Sequence, residues 1–216
     1  METSKLEKFA NIKYLLLIVS FVLFLDIFLL ENNFENIYCL KLDFFKNSVG
    51  FFLVFLCLYS FYIAIVSKMI FAFFTMIVEL KVKKKNSAYY IEYYKLLTKS
   101  FKDNNSVMFN YTQEKWKEQT QLYESLSIYY GTVCLFLFDY LYYKNSIIDL
   151  FLKKITTHFL QSINLIDTFI FLIIIGSVFF LLFLLPYFLL KEYLEERGFI
   201  RINNLIKKEI LEKKYK

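Results

Sequence analysis

Apolar residues gather in long blocks along this chain, and the charges lie between the blocks. Four blocks approach or exceed the roughly 20 residues that a helix needs to cross a hydrocarbon core at about 1.5 Å per residue. They run from 14 to 30, 49 to 78, 126 to 143 and 163 to 190. The second and fourth exceed the minimum, so they tilt or project beyond a bilayer. The first has a long apolar run, and "LDIFLLENNFE" offers no small-residue cleavage site, so it reads as a retained span.

The polar connections carry patterns of their own. Between 88 and 102, Glu92, Lys95, Lys99 and Lys102 recur at helical spacing, with Tyr89, Tyr93, Leu96 and Leu97 on another face. "DNN" at 103–105 supplies a turn. A second helix is expected from Asn110, with Gln113 three residues on, carrying Trp116, Tyr123, Leu126 and Tyr130 along one seam. Spans two and three would then project as a helical hairpin. "NSIIDLFLKKITTHFLQSI" is too polar to cross and suits an interface. Gly198 reads as a helix stop, followed by the amphipathic "FIRINNLIKKEILEKKYK".

Composition agrees with the blocks. Of 216 residues, 58% are hydrophobic and 21% aromatic, with one proline and four glycines, which is poor in turn residues for a soluble domain. Segregated apolar blocks fit spanning helices, and the short alternating segments of a transmembrane barrel are missing. The expected fold is all-α: a multi-pass membrane protein of four transmembrane helices with a cytoplasmic helical-hairpin extension between spans two and three. Its units are a tail (1–13), a first transmembrane hairpin (14–78), the extension (79–125), a second transmembrane hairpin (126–190) and a basic amphipathic tail (191–216).

Charge orients the chain. Lysines and arginines number three in the first tail, nine over 79–125 and eight in the last tail, against two over 31–48 and three over 144–162. The positive-inside rule therefore puts both termini and the extension on the cytoplasmic side of the membrane. The tail lysines suit an anionic inner leaflet.

Enzyme motifs do not emerge. The single histidine, His158, has no supporting ligand set, and the glycines cannot build a phosphate loop. Cys39, Cys57 and Cys134 are widely spaced and odd in number, unlike a disulfide framework or metal site. No catalytic residue, cofactor or metal is expected. Charges inside the blocks are the better candidates, because each costs about 2.5–3.5 kcal/mol at the centre of a span. Asp26 and Asp139 lie at similar depths near the outer ends of spans one and three, where they could share a water-filled vestibule or a proton. Lys68 lies toward the inner interface, where its stem can snorkel. All three read as interfacial anchors or as the acidic and basic mouths of a conduit. Pro186 is expected to kink span four, and Gly176-Ser177 to offer a notch for close packing. Lys95, Lys99 and Lys102 form a candidate partner face for phospholipid, nucleic acid or an acidic protein.

Four spans, cytoplasmic termini, a basic-aromatic extension and the lack of a catalytic motif together resemble the small membrane accessory proteins encoded beside type VI CRISPR RNA-targeting effectors. That resemblance is architectural and assigns no residue a role. The branch bearing an Arg…His ribonuclease-like motif does not match, since Arg197 and Arg201 both follow His158. It implies a non-enzymatic modulator of RNA-guided antiviral defence, with an RNA-guided nuclease as cytoplasmic partner and the bilayer as a second target. Two other classes share the architecture: immunity proteins that bind pore-forming bacteriocins within the membrane, and small channel-forming homo-oligomers.

Overall fold

The computed structural model describes residues 5–39, 48–79, 90–161, 169, 172–173, 176–177, 180 and 184–201. Most of the fourth apolar block and the C-terminal segment from 202 onward therefore lie outside the described residues. What is described is mostly helical. Helix α1 (Lys5–Glu31) holds the first block, and a short 3₁₀ turn (Ile37–Cys39) follows it. The second block forms one continuous rod: α2 (Val49–Phe61), a π-helical turn (Tyr62–Val66) and α3 (Ser67–Glu79). After it come β1 (Tyr90–Glu92), α4 (Tyr93–Lys102) and α5 (Ser106–Tyr142). The chain continues through α6 (Ile147–Gln161), α7 (Leu185–Glu196) and β2 (Phe199–Arg201). Two stretches, Ile12–Glu31 and Val49–Glu79, are long and apolar enough to cross a membrane.

Helix directions follow from the contacts. Lys13 pairs with Glu124 at 2.5 Å, while Asp26 and Asp139 each hold the start of α6, so α1 and α5 run parallel. The α2–α3 rod runs against both. Ser20 meets Tyr59 at 2.9 Å and Phe28 packs on Phe51, whereas Tyr62 reaches Gly131 and Phe71 reaches Tyr130. Helix α7 is also antiparallel to α5, with Tyr130 donating to the Pro186 carbonyl and Tyr193 beside Tyr123.

Aromatic rings supply much of the packing. Phe55 is fully buried, with its ring edge-on to Phe21 at 5.1 Å and stacked with Tyr59. Where lipid competes for apolar surface, such shape-specific contacts and hydrogen bonds hold helices together better than hydrophobicity does. The closest approach is at Gly131, where an added Cβ would lie 2.7 Å from Cβ of Ser67. That contact is made by a single glycine on α5, not by Gly176, around which the described residues leave open space.

Several expected boundaries move. Within the helix expected over 88–102, residues 90–92 form strand β1 and the helix proper starts at Tyr93. The next helix starts at Ser106 rather than Asn110, because Asn105 caps it by accepting from the Met108 N–H at 3.0 Å. Asn104 takes the left-handed turn conformation, φ 49°, that a short polar side chain tolerates. Pro186 sits in the first turn of α7, which begins directly after the helical Leu184, and the kink expected there involves 181–183, which lie outside the described residues. Gly198, with φ 77°, does end α7, but the chain then enters β2 rather than a helix.

Candidate functional site

Two constructions stand out, one at each end of α5. At the end where α1 and α5 finish, the carboxylates of Asp26 and Asp139 are fully buried. Asp26 accepts from the Ile37 N–H through Oδ1 and from the Ile147 N–H through Oδ2, each at 2.8 Å. Asp139 accepts from the Ile148 N–H at 3.4 Å and from the Ser146 hydroxyl. The first amides of α6 are thus capped by carboxylates from two other helices, which is where an anion is best placed on a helix.

The local sequence completes this cap. "NSIID" forms a variant of the capping box: the Ser146 hydroxyl accepts from the Asp149 N–H at 3.2 Å, and Asp149 reaches back one residue further, accepting from the Asn145 N–H at 2.9 Å. The Lys153 ammonium, then the Asn145 N–H, hold the Asp149 carboxyl below its ordinary range. Asn145 adopts φ 64°, and its carbonyl accepts from the Asn36 amide at 3.0 Å, joining the two connections. Two acceptors are left over, Oδ1 of Asn36 and Oδ1 of Asp139, both buried without a partner among the described residues. Tyr143 also donates its hydroxyl to Glu31, closing the rim.

Sequence reasoning therefore placed the two aspartates together, and the structure gives them a capping task. Neither carboxylate faces water, so neither lines an aqueous mouth in the single chain. Lys68 is exposed on the side of α3, one residue beyond the buried Ser67. The backbone of His158 belongs to α6. Among the described residues no group of three or more His, Cys, Asp or Glu gathers into a metal-ligand cluster.

The other construction is a head built from α4, the first half of α5 and a two-stranded ribbon. β1 pairs antiparallel with β2, Ile91 opposite Ile200. Leu96 and Ile200 form a small buried core between them, and Tyr93 stacks on Trp116 with centroids 4.5 Å apart. Gln119 donates to the Phe199 carbonyl at 2.8 Å and its own carbonyl accepts from the Gly198 N–H, clasping the turn after α7. The expected seam on α5 is divided: Trp116 packs in the head, while Tyr123, Leu126 and Tyr130 pack against Phe71 and α7.

Of the proposed basic face, Lys95 pairs with Glu92 at 3.1 Å, Lys99 is half-buried and Lys102 is exposed. What the sequence reading missed is the apolar tip. Phe101 and Val107, flanking the turn between α4 and α5, are 66% and 77% exposed, Tyr94 on the side of α4 is 74% exposed, and Phe101 makes a tilted ring contact with Phe109 at 5.2 Å. The spacing of Tyr94 and Phe101, two helical turns apart, was the available signal.

Comparisons with known proteins give no family model, curated protein or solved structure that matches this chain.

Proposed function

We propose that the chain is a non-enzymatic, multi-pass protein of a bacterial inner membrane that presents a rigid cytoplasmic head to a cytoplasmic protein partner. Four spans with both termini cytoplasmic are supported by the alternating helix directions and by the excess of lysine and arginine on one set of connections. The reading is carried by the head itself: it is clamped to the bundle by the ribbon and Gln119, yet it leaves Tyr94 on the side of α4 and Phe101 and Val107 at its tip uncovered. The turn before α5, which carries Phe101 and Val107, stands about 27 Å of helix beyond Glu124, farther than a bilayer surface potential reaches in salt. Between 90 and 119 five lysines meet four acidic residues, a balance poorly suited to a nucleic-acid backbone. Exposed rings on a near-neutral, pre-ordered support suit a protein surface.

The resemblance drawn from the sequence makes an RNA-guided nuclease the first partner to test, and modulation of antiviral defence the first activity. The test is photo-crosslinking in living cells that carry such a nuclease, with benzoylphenylalanine at Tyr94 or Phe101 and, as control, at Tyr38. A nuclease adduct from the head positions alone, lost in the Val107→Asp variant, is the expected result. Adducts at Tyr38 alone would overturn it.

A second reading, an immunity protein against a pore-forming bacteriocin, is favoured by one observation. Only 6% of the most apolar window of the α2–α3 rod is buried, leaving a long face for lipid or a foreign helix. Crosslinks to an added bacteriocin from Leu53 or Phe61, with none from the head, would select it. A channel-forming oligomer gains no support from Asp26 or Asp139, since both are engaged in capping.

A further inference from the structure

Beside the capped start of α6, a cleft of about 640 Å³ opens between the 3₁₀ turn and α6. Its lining is Asn36, Tyr38, Cys39, Leu150, Phe151, Lys154 and Ile155. The volume lies in the range of about 300–1,000 Å³ usual for clefts that hold small ligands. Three features define what would fit. Leu150, Phe151 and Ile155 come from successive turns of α6 and make one wall apolar. Lys154 is the cation of the lining and, unlike Lys153, which is paired with Asp149 at 2.6 Å, has no carboxylate partner among the described residues. Asn36 is 8% exposed and keeps an acceptor oxygen without a donor, while its amide is spent on the Asn145 carbonyl.

The surroundings set the depth. Tyr38, Tyr140 and Tyr142 are exposed around this end of the bundle, as in the aromatic belt where a helical protein meets lipid headgroups. An occupant here needs an apolar chain for the wall, an anion for Lys154 and a hydroxyl donor for Asn36. We propose that this cleft binds an anionic phospholipid with a hydroxyl-bearing headgroup, in the leaflet that surrounds the Asp26 end of the bundle. The phosphate meets the Lys154 ammonium, a headgroup hydroxyl donates toward Asn36, and an acyl chain lies along Leu150, Phe151 and Ile155.

The probe is dioleoylphosphatidylglycerol, compared with dioleoylphosphatidylcholine and with free glycerol phosphate, added to the delipidated full chain in detergent and read by native mass spectrometry. Phosphatidylglycerol should be retained about tenfold better than phosphatidylcholine, the size of one charge-assisted contact. Lys154→Glu should abolish that preference, and Lys153→Glu, which lies off the cleft, should keep it. Retention of free glycerol phosphate equal to that of the lipid would overturn the lipid assignment and leave an anion site only. Equal retention of both lipids, or an unchanged preference in Lys154→Glu, would overturn the proposal altogether. Labelling of Cys39 by a charged maleimide gives a second readout that does not depend on the variants: phosphatidylglycerol should slow it and phosphatidylcholine should not. None of these readouts involves the head, so they stand or fall separately from partner docking.

Discussion

At the residue scale, Asp26 shows how a charge can be kept inside an apolar block. A carboxylate there is costly unless its lone pairs are met, and here two backbone N–H groups from different connections meet them at 2.8 Å. Replacing Asp26 by Ala leaves the Ile37 and Ile147 amides without an acceptor. At about 1–3 kcal/mol for each buried unsatisfied group, the loss should be several kcal/mol. Asp26→Asn keeps one acceptor oxygen and should cost about half as much. Denaturant unfolding in detergent, followed by circular dichroism, measures the difference. Amide exchange at residues 146–150 should rise in Asp26→Ala, and unchanged protection there would refute the capping role. The juxtaposition of Asp26 and Asp139 was legible from the sequence, because each lies a similar number of residues before the end of its block. Their task was not, because the groups they cap belong to the 3₁₀ turn and to α6. No local pattern announces which helix start will fold back onto a buried carboxylate.

At the scale of elements, the junction between α3 and α5 depends on one absent side chain. Gly131 lets the Ser67 backbone come close, and its carbonyl accepts from the Tyr62 hydroxyl at 2.7 Å within the π-helical turn. Gly131→Ala must push α3 away or strain both backbones, an overpacking cost of about 1–3 kcal/mol. If the clash with Ser67 is the cause, Ser67→Gly should recover most of that loss in the double variant, as measured by melting temperature in detergent. Equal destabilisation with and without Ser67→Gly would assign the effect to something else. The sequence reading looked for close packing at Gly176-Ser177 because paired small residues are the usual sign. Here the pair is split between two helices, Gly131 on one and Ser67 on the other. The ribbon was missed for a related reason: "YIE" and "FIR" are three-residue strands inside helix-patterned stretches, and only their pairing across the chain makes them strands.

For the whole molecule, α1 and α5 act as a parallel pair fixed at both ends, by Lys13–Glu124 at one and by the shared cap of α6 at the other. These ends are about 20 Å apart along α1, a length that fits within the roughly 30 Å of a hydrocarbon core. Since α2–α3 and α7 run the opposite way, the head and the lipid-facing cleft must be on opposite sides of any bilayer that the bundle crosses. In the topology proposed above, from the lysine and arginine bias, the head is on the cytoplasmic side. Native cysteines make this testable, because Cys39 is exposed beside the cleft whereas Cys57 lies within the apolar rod. In intact spheroplasts an impermeant maleimide should label Cys39. A cysteine introduced by Lys102→Cys in a Cys39→Ala background should react only after the membrane is permeabilised. Labelling at position 102 in sealed cells with Cys39 protected would invert the topology, and would move the apolar tip out of reach of any cytoplasmic partner. Labelling at both positions in sealed cells would remove the bilayer from between them, and with it the reason for reading the α2–α3 rod as a span.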